Sequence, residues 1–319
     1  MLKKKKRIQN QIAESRFTLP IAATLIALIW VAVGLLVSNI WAQFAFTIIS
    51  TFLMVELNNR NALMRTYSRM VSCSFLVLIT MAGLPTLTLK GCIVTMCYIA
   101  FYLIAWNTYQ DKRSVGWTFY AYLCIGLAST IFIQILYLLP FLWLLMIAFT
   151  NSLSVKNICA SILGLITPYW FSAGFYIFKG NFQSFIAHFN ELMDLTSLFD
   201  YSQLTDHLVI SYSFIFIIAI IGIIHFLRSS YADKIRTRMI YESLIVMDLV
   251  SIALMVLLPN HAYEWGGICI VNTAPLVAHF ITFTHTKLTN ITFVTMSIIA
   301  ILITLYNIAI PPMLFINMI

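Results

Sequence analysis

The sequence predicts an all-α protein, a polytopic transmembrane helix bundle. Two observations predict it: the composition and the recurrence of long apolar runs. Of 319 residues, 61% are hydrophobic and only 9% charged, where soluble domains have about 45–50% and about 25%. Apolar stretches recur from residue 19 onward, and no segment is long enough for a separate soluble domain. Residues 1–319 therefore read as a single integral membrane domain, which excludes disorder, a secreted disulfide scaffold and a soluble enzyme.

A hydrocarbon core about 30 Å thick takes roughly 20 apolar residues per helix. Cutting the chain at its charged and turn-forming clusters predicts about eleven spans: 19–38, 41–57, 70–88, 91–108, 115–135, 138–154, 157–178, 208–227, 239–258, 267–285 and 291–315. The cuts inside 19–57 and 115–154 rest only on Ser38-Asn39 and on Gln134 with Pro140. Each of those stretches is too long for one span and long enough for a tight hairpin.

The positive-inside rule tests this count. With the N-terminus inside, the cytoplasmic segments carry Lys3, Lys4, Lys5, Lys6, Arg7, Arg16, Arg60, Arg65, Arg69, Lys112, Arg113, Lys156, Arg228, Lys234, Arg236, Arg238 and Lys287. That is 17 of the 19 basic residues, leaving Lys90 and Lys179 outside. The expected topology is N-in, C-out. The net charge of +8 is thus a topology signal, and no nucleic-acid partner is expected. Residues 1–18 read as a basic cytoplasmic N-terminus attracted to anionic headgroups. They do not read as a cleaved signal peptide, because the apolar run that follows is too long and no A-x-A site ends it.

The one sizeable loop, 180–207, falls outside and carries a helical pattern. Phe182, Phe185, Ile186, Phe189, Leu192 and Met193 share one face, and Gln183, His188, Asn190, Glu191 and Asp194 the other. An amphipathic helix lying in the outer interface is expected, either closing the bundle or acting as a lid. No internal repeat is expected: Pro168 and Pro275 have no counterparts in the second and fifth spans. Six cysteines without C-x-x-C or metal-ligand spacing lead to an expectation of no metal and no cofactor. An oxidised Cys92–Cys269 pair near the outer face is left open.

Ionisable residues inside a membrane are expensive and often mark function. Asp248 sits mid-way along the ninth span with Tyr241 on its face, while Glu242 points about 120° away. In the tenth span Asn272 and His279 share a stripe beside Pro275, which leaves the carbonyl of Val271 without its helical donor. The short loop Pro259–Gly266 makes the two spans antiparallel neighbours. A polar site is expected, with Asp248 as proton carrier, His279 as its partner and Asn272 as a neutral ligand; a structural hydrogen-bond cluster fits the same pattern. His225 and His285 read as interfacial, and Glu264 and His261 as solvated loop residues.

A second candidate is the inner loop Glu56–Met70. There Arg60, Arg65 and Arg69 with Asn58, Asn59 and Asn61 could hold a phosphate headgroup. Anchoring explains the arginines but does not require the asparagines. A third is the set of outer carboxylates Glu191, Asp194 and Glu264. No P-loop, H-E-x-x-H or G-x-S-x-G motif is present. The first outer loop, Ser38 to Ile40, also lacks the acidic residue typical of glycosyltransferases that use lipid-linked donors.

The stretches LNNRNALMRTYSRM (Leu57–Met70) and IVNTAPLVAHFITFTHTKLTN (Ile270–Asn290) resemble an uncharacterised family of bacterial polytopic inner-membrane proteins with no assigned activity. The resemblance implies a bacterial inner membrane and a part in envelope-glycan or lipid metabolism, and it transfers no catalytic residue. Three functions are then expected. The first is binding or translocation, without ATP, of an amphipathic or lipid-linked substrate. The others are a membrane-embedded glycan transferase or polymerase and a non-catalytic scaffold. The expected partners are membrane lipids and a lipid-linked glycan intermediate.

Overall fold

A computed structural model describes residues 7–36, 40–83, 88–193, 198–202 and 204–310. Among these there is no strand, and thirteen α-helices follow one another. They are α1 (Ile8–Glu14), α2 (Thr18–Leu36), α3 (Trp41–Asn61), α4 (Met70–Gly83), α5 (Leu89–Ala105), α6 (Val115–Ser129), α7 (Leu139–Ala148), α8 (Val155–Phe178), α9 (Phe182–Met193), α10 (Asp206–Ser229), α11 (Ile235–Leu257), α12 (Ala262–Phe283) and α13 (Lys287–Ala309).

Six are long and apolar enough to cross a bilayer: α5, α8, α10, α11, α12 and α13, some with a short 3-10 extension. A seventh follows if α1 and α2, which meet at 92°, count as one broken span. The other five expected spans fall on α2, α3, α4, α6 and α7, none of which is by itself long and apolar enough among the described residues; Met70–Ala82, Val115–Ser129 and Ile133–Ala148 are shorter apolar helices. Of these, α6 ends at Ser129 instead of reaching residue 135, and a 3-10 segment, Ile133–Leu138, carries the chain to α7. Within that segment Gln134 is buried, and its amide lies 3.3 Å from the ring of His261.

The outward surface is that of a membrane protein. Leu25 and Leu28 of α2, Trp170 and Phe171 of α8, and Ile291, Ile301 and Leu305 of α13 all stand exposed. Hydrocarbon would solvate them, whereas water would not. Inside, the main apolar core extends from Ala13 to Ile303, with a smaller cluster of Ile26, Trp30, Val33 and Leu76 beside it, and α12 is the main core's axis, almost wholly buried where α8 and α13 are mostly not. Helices α4, α5, α10 and α11 pack around α12. Gly266 and Gly267 allow it, because a methyl group at either would collide with the Tyr212 hydroxyl of α10 or the Thr95 hydroxyl of α5. Small residues serve helix contact in the same way elsewhere in the bundle: a Cβ on Gly126 of α6 would lie 2.7 Å from the carbonyl oxygen of Leu165 in α8.

The bundle has two chemically distinct ends. At one, the α3–α4 loop meets the α10–α11 turn through Arg65 and Asp233, and Arg236 meets the end of α5 at the Trp106 carbonyl. There too Gln110 donates to Thr150, and the side chain of Asn290 accepts from the backbone of Gln9 in α1. At the other end, Thr88 donates to Glu264, Asn260 to Asp200, Tyr137 to the carbonyl of Leu192, and Asn307 to the carbonyl of Met81. We refer to these as the basic end and the acidic end.

The amphipathic helix expected in the 180–207 loop is α9. Phe185 and His188 turn inward, toward Tyr169 and the carbonyl of Ser129, while Phe182, Ile186 and Phe189 stay exposed. All six cysteines are free, so Cys92 and Cys269, both buried, do not pair.

Candidate functional site

Polar groups line α12 from end to end. At the acidic end Glu264 is buried in the first turn and accepts from Thr88 Oγ1 at 3.1 Å. It is therefore not the solvated loop residue expected: the loop before α12 is a single 3-10 turn, Pro259–His261. Glu264 and His279 stand fifteen residues apart, about 22 Å at 1.5 Å per residue, which is most of a hydrocarbon core.

Mid-way, Asp248 of α11 is wholly buried. Its Oδ1 accepts from Thr273 Oγ1 at 3.0 Å and lies 3.5 Å from Cys269 Sγ. Its Oδ2 is buried and has no protein partner. One position before Thr273, Asn272 turns to α5 instead. Its Oδ1 accepts from Tyr102 at 2.9 Å and from Tyr98 at 3.4 Å, and the two tyrosine hydroxyls are 2.8 Å apart. The Asn272 amide nitrogen is left buried without a partner.

The expected pairing of Asp248 with His279 does not form. His279 lies six residues beyond Thr273, about 9 Å along the axis, and its Nε2 is 3.1 Å from Oδ2 of Asp233. A carboxylate can only accept, so Nε2 is the donor, and Nδ1 has no partner among the described residues. Tyr241 belongs to this group and not to Asp248. Its ring stacks on Phe226 at 4.7 Å and meets His279 edge-on at 5.1 Å, and its hydroxyl is 3.5 Å from the carbonyl of Pro275. His225 also approaches His279, at 5.3 Å between ring centres. Glu242 is half-buried, and among the described residues no hydrogen bond or ion pair joins it to these groups.

Asp233 was not singled out from the sequence, yet its buried carboxylate organises the basic end. Arg65 Nε lies 2.8 Å from Oδ1, an ion pair off the hydrogen-bond direction, and the Arg65 guanidinium stacks on Phe283 at 4.2 Å. The inner-loop residues therefore separate. Arg60 pairs along α3 with Glu56 at 2.6 Å, Arg65 is committed to Asp233, and Arg69 bonds only the neutral groups of Tyr67 and Asn59, each at 3.2 Å. The asparagines that anchoring did not explain are stitches. Asn58 donates to the carbonyl of Ser68, and Asn61 accepts from Arg236, which also bonds the carbonyl of Trp106.

Of the outer carboxylates, Glu191 and Glu264 both lie near enough to His261 to act on its charge. Glu191 is exposed, Glu264 turns inward, and Asp194 lies outside the described residues. A different buried network occupies the acidic end, also missed from the sequence. His207 Nδ1 meets Asn307 Oδ1 at 2.7 Å, Asn307 donates to Ser211 and to the Met81 carbonyl, and Tyr306 donates to Asp206. The readable signals were an asparagine deep in the last apolar helix and the i, i+4 tyrosines 98 and 102. Outside the spans, hydrogen bonds from Ser202 and Asn260 hold the Asp200 carboxyl below the usual carboxylate range.

No family model matches this chain, and neither a curated protein nor a solved structure does.

Proposed function

We propose that this is a multi-pass protein of a bacterial inner membrane that binds or moves an amphipathic, lipid-linked envelope substrate without ATP. In this reading the polar groups along α12 form the proton path and Asp248 is the proton carrier. Eleven spans with the N-terminus inside and the C-terminus outside accompany the reading. The gathering of Arg65, Arg236 and the ends of α5, α7, α10 and α12 at one end supports that topology. A reporter fused to the C-terminus should be active only outside; cytoplasmic activity would overturn the topology.

The observation that carries the function is the buried, unpartnered Oδ2 of Asp248. A carboxyl at membrane depth costs about 2.5–3.5 kcal/mol on insertion scales. A purely structural group would use both oxygens, or be an asparagine. For the transferase alternative, Glu264 is buried and engaged by Thr88, while Glu191 is exposed on α9.

The test is native mass spectrometry of wild type and Asp248→Asn purified in mild detergent. The expected outcome is a polyprenyl-phosphate-linked species on the wild type that the variant lacks, with both proteins equally folded. Bulk phospholipid alone on both would refute the reading and favour a scaffold.

A further inference from the structure

A cleft opens sideways on the bundle between α2 and α13, floored by α4. It is about 700 Å³ counting its open side, and its lining, including Ile12, Phe214, Ile281 and Met296, is almost wholly apolar. From Val71 to Ala82 every residue of α4 is buried except Val77, which faces this cleft. Its floor runs from Met70 at the basic end to Leu78, roughly 12 Å at 1.5 Å per residue. An apolar cleft of this length and lining, open on its outward side, fits one acyl chain.

The mouth supplies the headgroup chemistry. At the basic end the polypeptide turns by 92° between α1 and α2, and Arg16 stands at that elbow, flanked by the cleft residues Ile12 and Thr18. Arg69 adjoins Met70 on the opposite lip. Both guanidiniums lie over the exposed ring of Tyr67, at 5.9 and 5.4 Å from its centre. Arg60 and Arg65 are neutralised by Glu56 and Asp233. Arg16 and Arg69 have no carboxylate partner among the described residues. Two unneutralised guanidiniums above an apolar slot at interface height complement a phosphate on an acyl chain. A neutral apolar partner, or a second copy of this surface, would leave both charges unanswered.

We propose that this cleft is a binding site for an anionic phospholipid, with one acyl chain along Val77 and the phosphate between Arg16 and Arg69. The site is separate from Asp248 and does not rest on the function proposed above.

The full chain in detergent is mixed with equal phosphatidylglycerol and phosphatidylcholine of identical acyl chains, and retained lipid is read by native mass spectrometry. The wild type should retain phosphatidylglycerol preferentially. Arg16→Gln with Arg69→Gln should lower that retention roughly thirty-fold, and Arg16→Gln alone, at an exposed position, roughly five-fold. Val77→Trp should remove both lipids, and Arg60→Gln, whose guanidinium already pairs with Glu56, should change neither. Equal retention of the two lipids by wild type would overturn the proposal. So would unchanged phosphatidylglycerol on folded Arg16→Gln, or unchanged lipid on folded Val77→Trp.

Discussion

Replacing Asp233 by alanine should destabilise the protein far more than removing an acidic residue from the surface of the same end. The carboxylate is fully buried and answers two cations or donors at once, His279 Nε2 at 3.1 Å and Arg65 Nε at 2.8 Å. A buried hydrogen bond to a charged group contributes about 1.5–3 kcal/mol. Arg65 is 34% exposed, so its share falls to about 0–1 kcal/mol by solvent screening. The expected loss is about 1.5–4 kcal/mol. Glu56 pairs with Arg60, whose side chains are 32% and 53% exposed, and an i, i+4 pair of that kind is worth about 0.2–0.5 kcal/mol. Unfolding in mixed micelles of increasing SDS fraction, extrapolated linearly, would compare Asp233→Ala with Glu56→Ala. A double-mutant cycle of Asp233→Ala with His279→Ala should return most of the loss as coupling. Equal effects of the two single variants, or no coupling, would refute the account of the basic end.

Three further outcomes follow from packing, hydrogen bonding and charge. Gly126→Ala should drive α6 from α8 and lower stability by about 1–3 kcal/mol, since the added carbon meets the Leu165 backbone; the same unfolding titration measures it. Asn307→Ala should remove the partners of His207, Ser211 and the Met81 carbonyl. The loss is about 1–3 kcal/mol, and amide exchange of α13 should rise with it. Asp200 has its carboxyl pKa lowered by Ser202 and Asn260, so its contribution is present above the ordinary value of about 3.9. It disappears as the pH falls through the lower folded value. Exchange in the 198–202 segment of wild type and Asp200→Asn should therefore differ at neutral pH and converge in strong acid.

Helix identity was readable because it is a local property. Apolar runs bounded by charge correspond to α2–α8 and α10–α13, and the 3.6-residue repeat from Phe182 to Met193 corresponds to α9. Ends were less readable where a tertiary contact decides them. Gln134 is an ordinary polar break in sequence, and its approach to His261, within the 3-10 segment that follows α6, was not readable there. Glu264 read as solvated because it falls within the loop Pro259–Gly266. In the structure that loop contracts to one 3-10 turn, so Glu264 enters the first turn of the central helix.

Partner choice was the least readable property, for a geometric reason. Spacing identifies residues that share a face, but α12 is packed on all sides, so every face has a neighbour. Asn272 and His279 share a stripe, yet the first meets α5 and the second the α10–α11 turn, because different helices cover different heights of that stripe. Thr273, one residue along, takes the α11 direction and receives Asp248. A peripheral helix such as α13 offers only one protein-facing side, and there the sequence stripe and the contact face must coincide. A central helix loses that constraint, and its polar residues are distributed among all its neighbours. Asp248 and His279 are therefore about 9 Å apart in height and bound to different elements. The proton path proposed above would need Tyr241 or water to bridge that height, so Tyr241→Phe, which keeps the ring on Phe226 and His279, should slow proton uptake by the reconstituted protein, and an unchanged rate would refute that path.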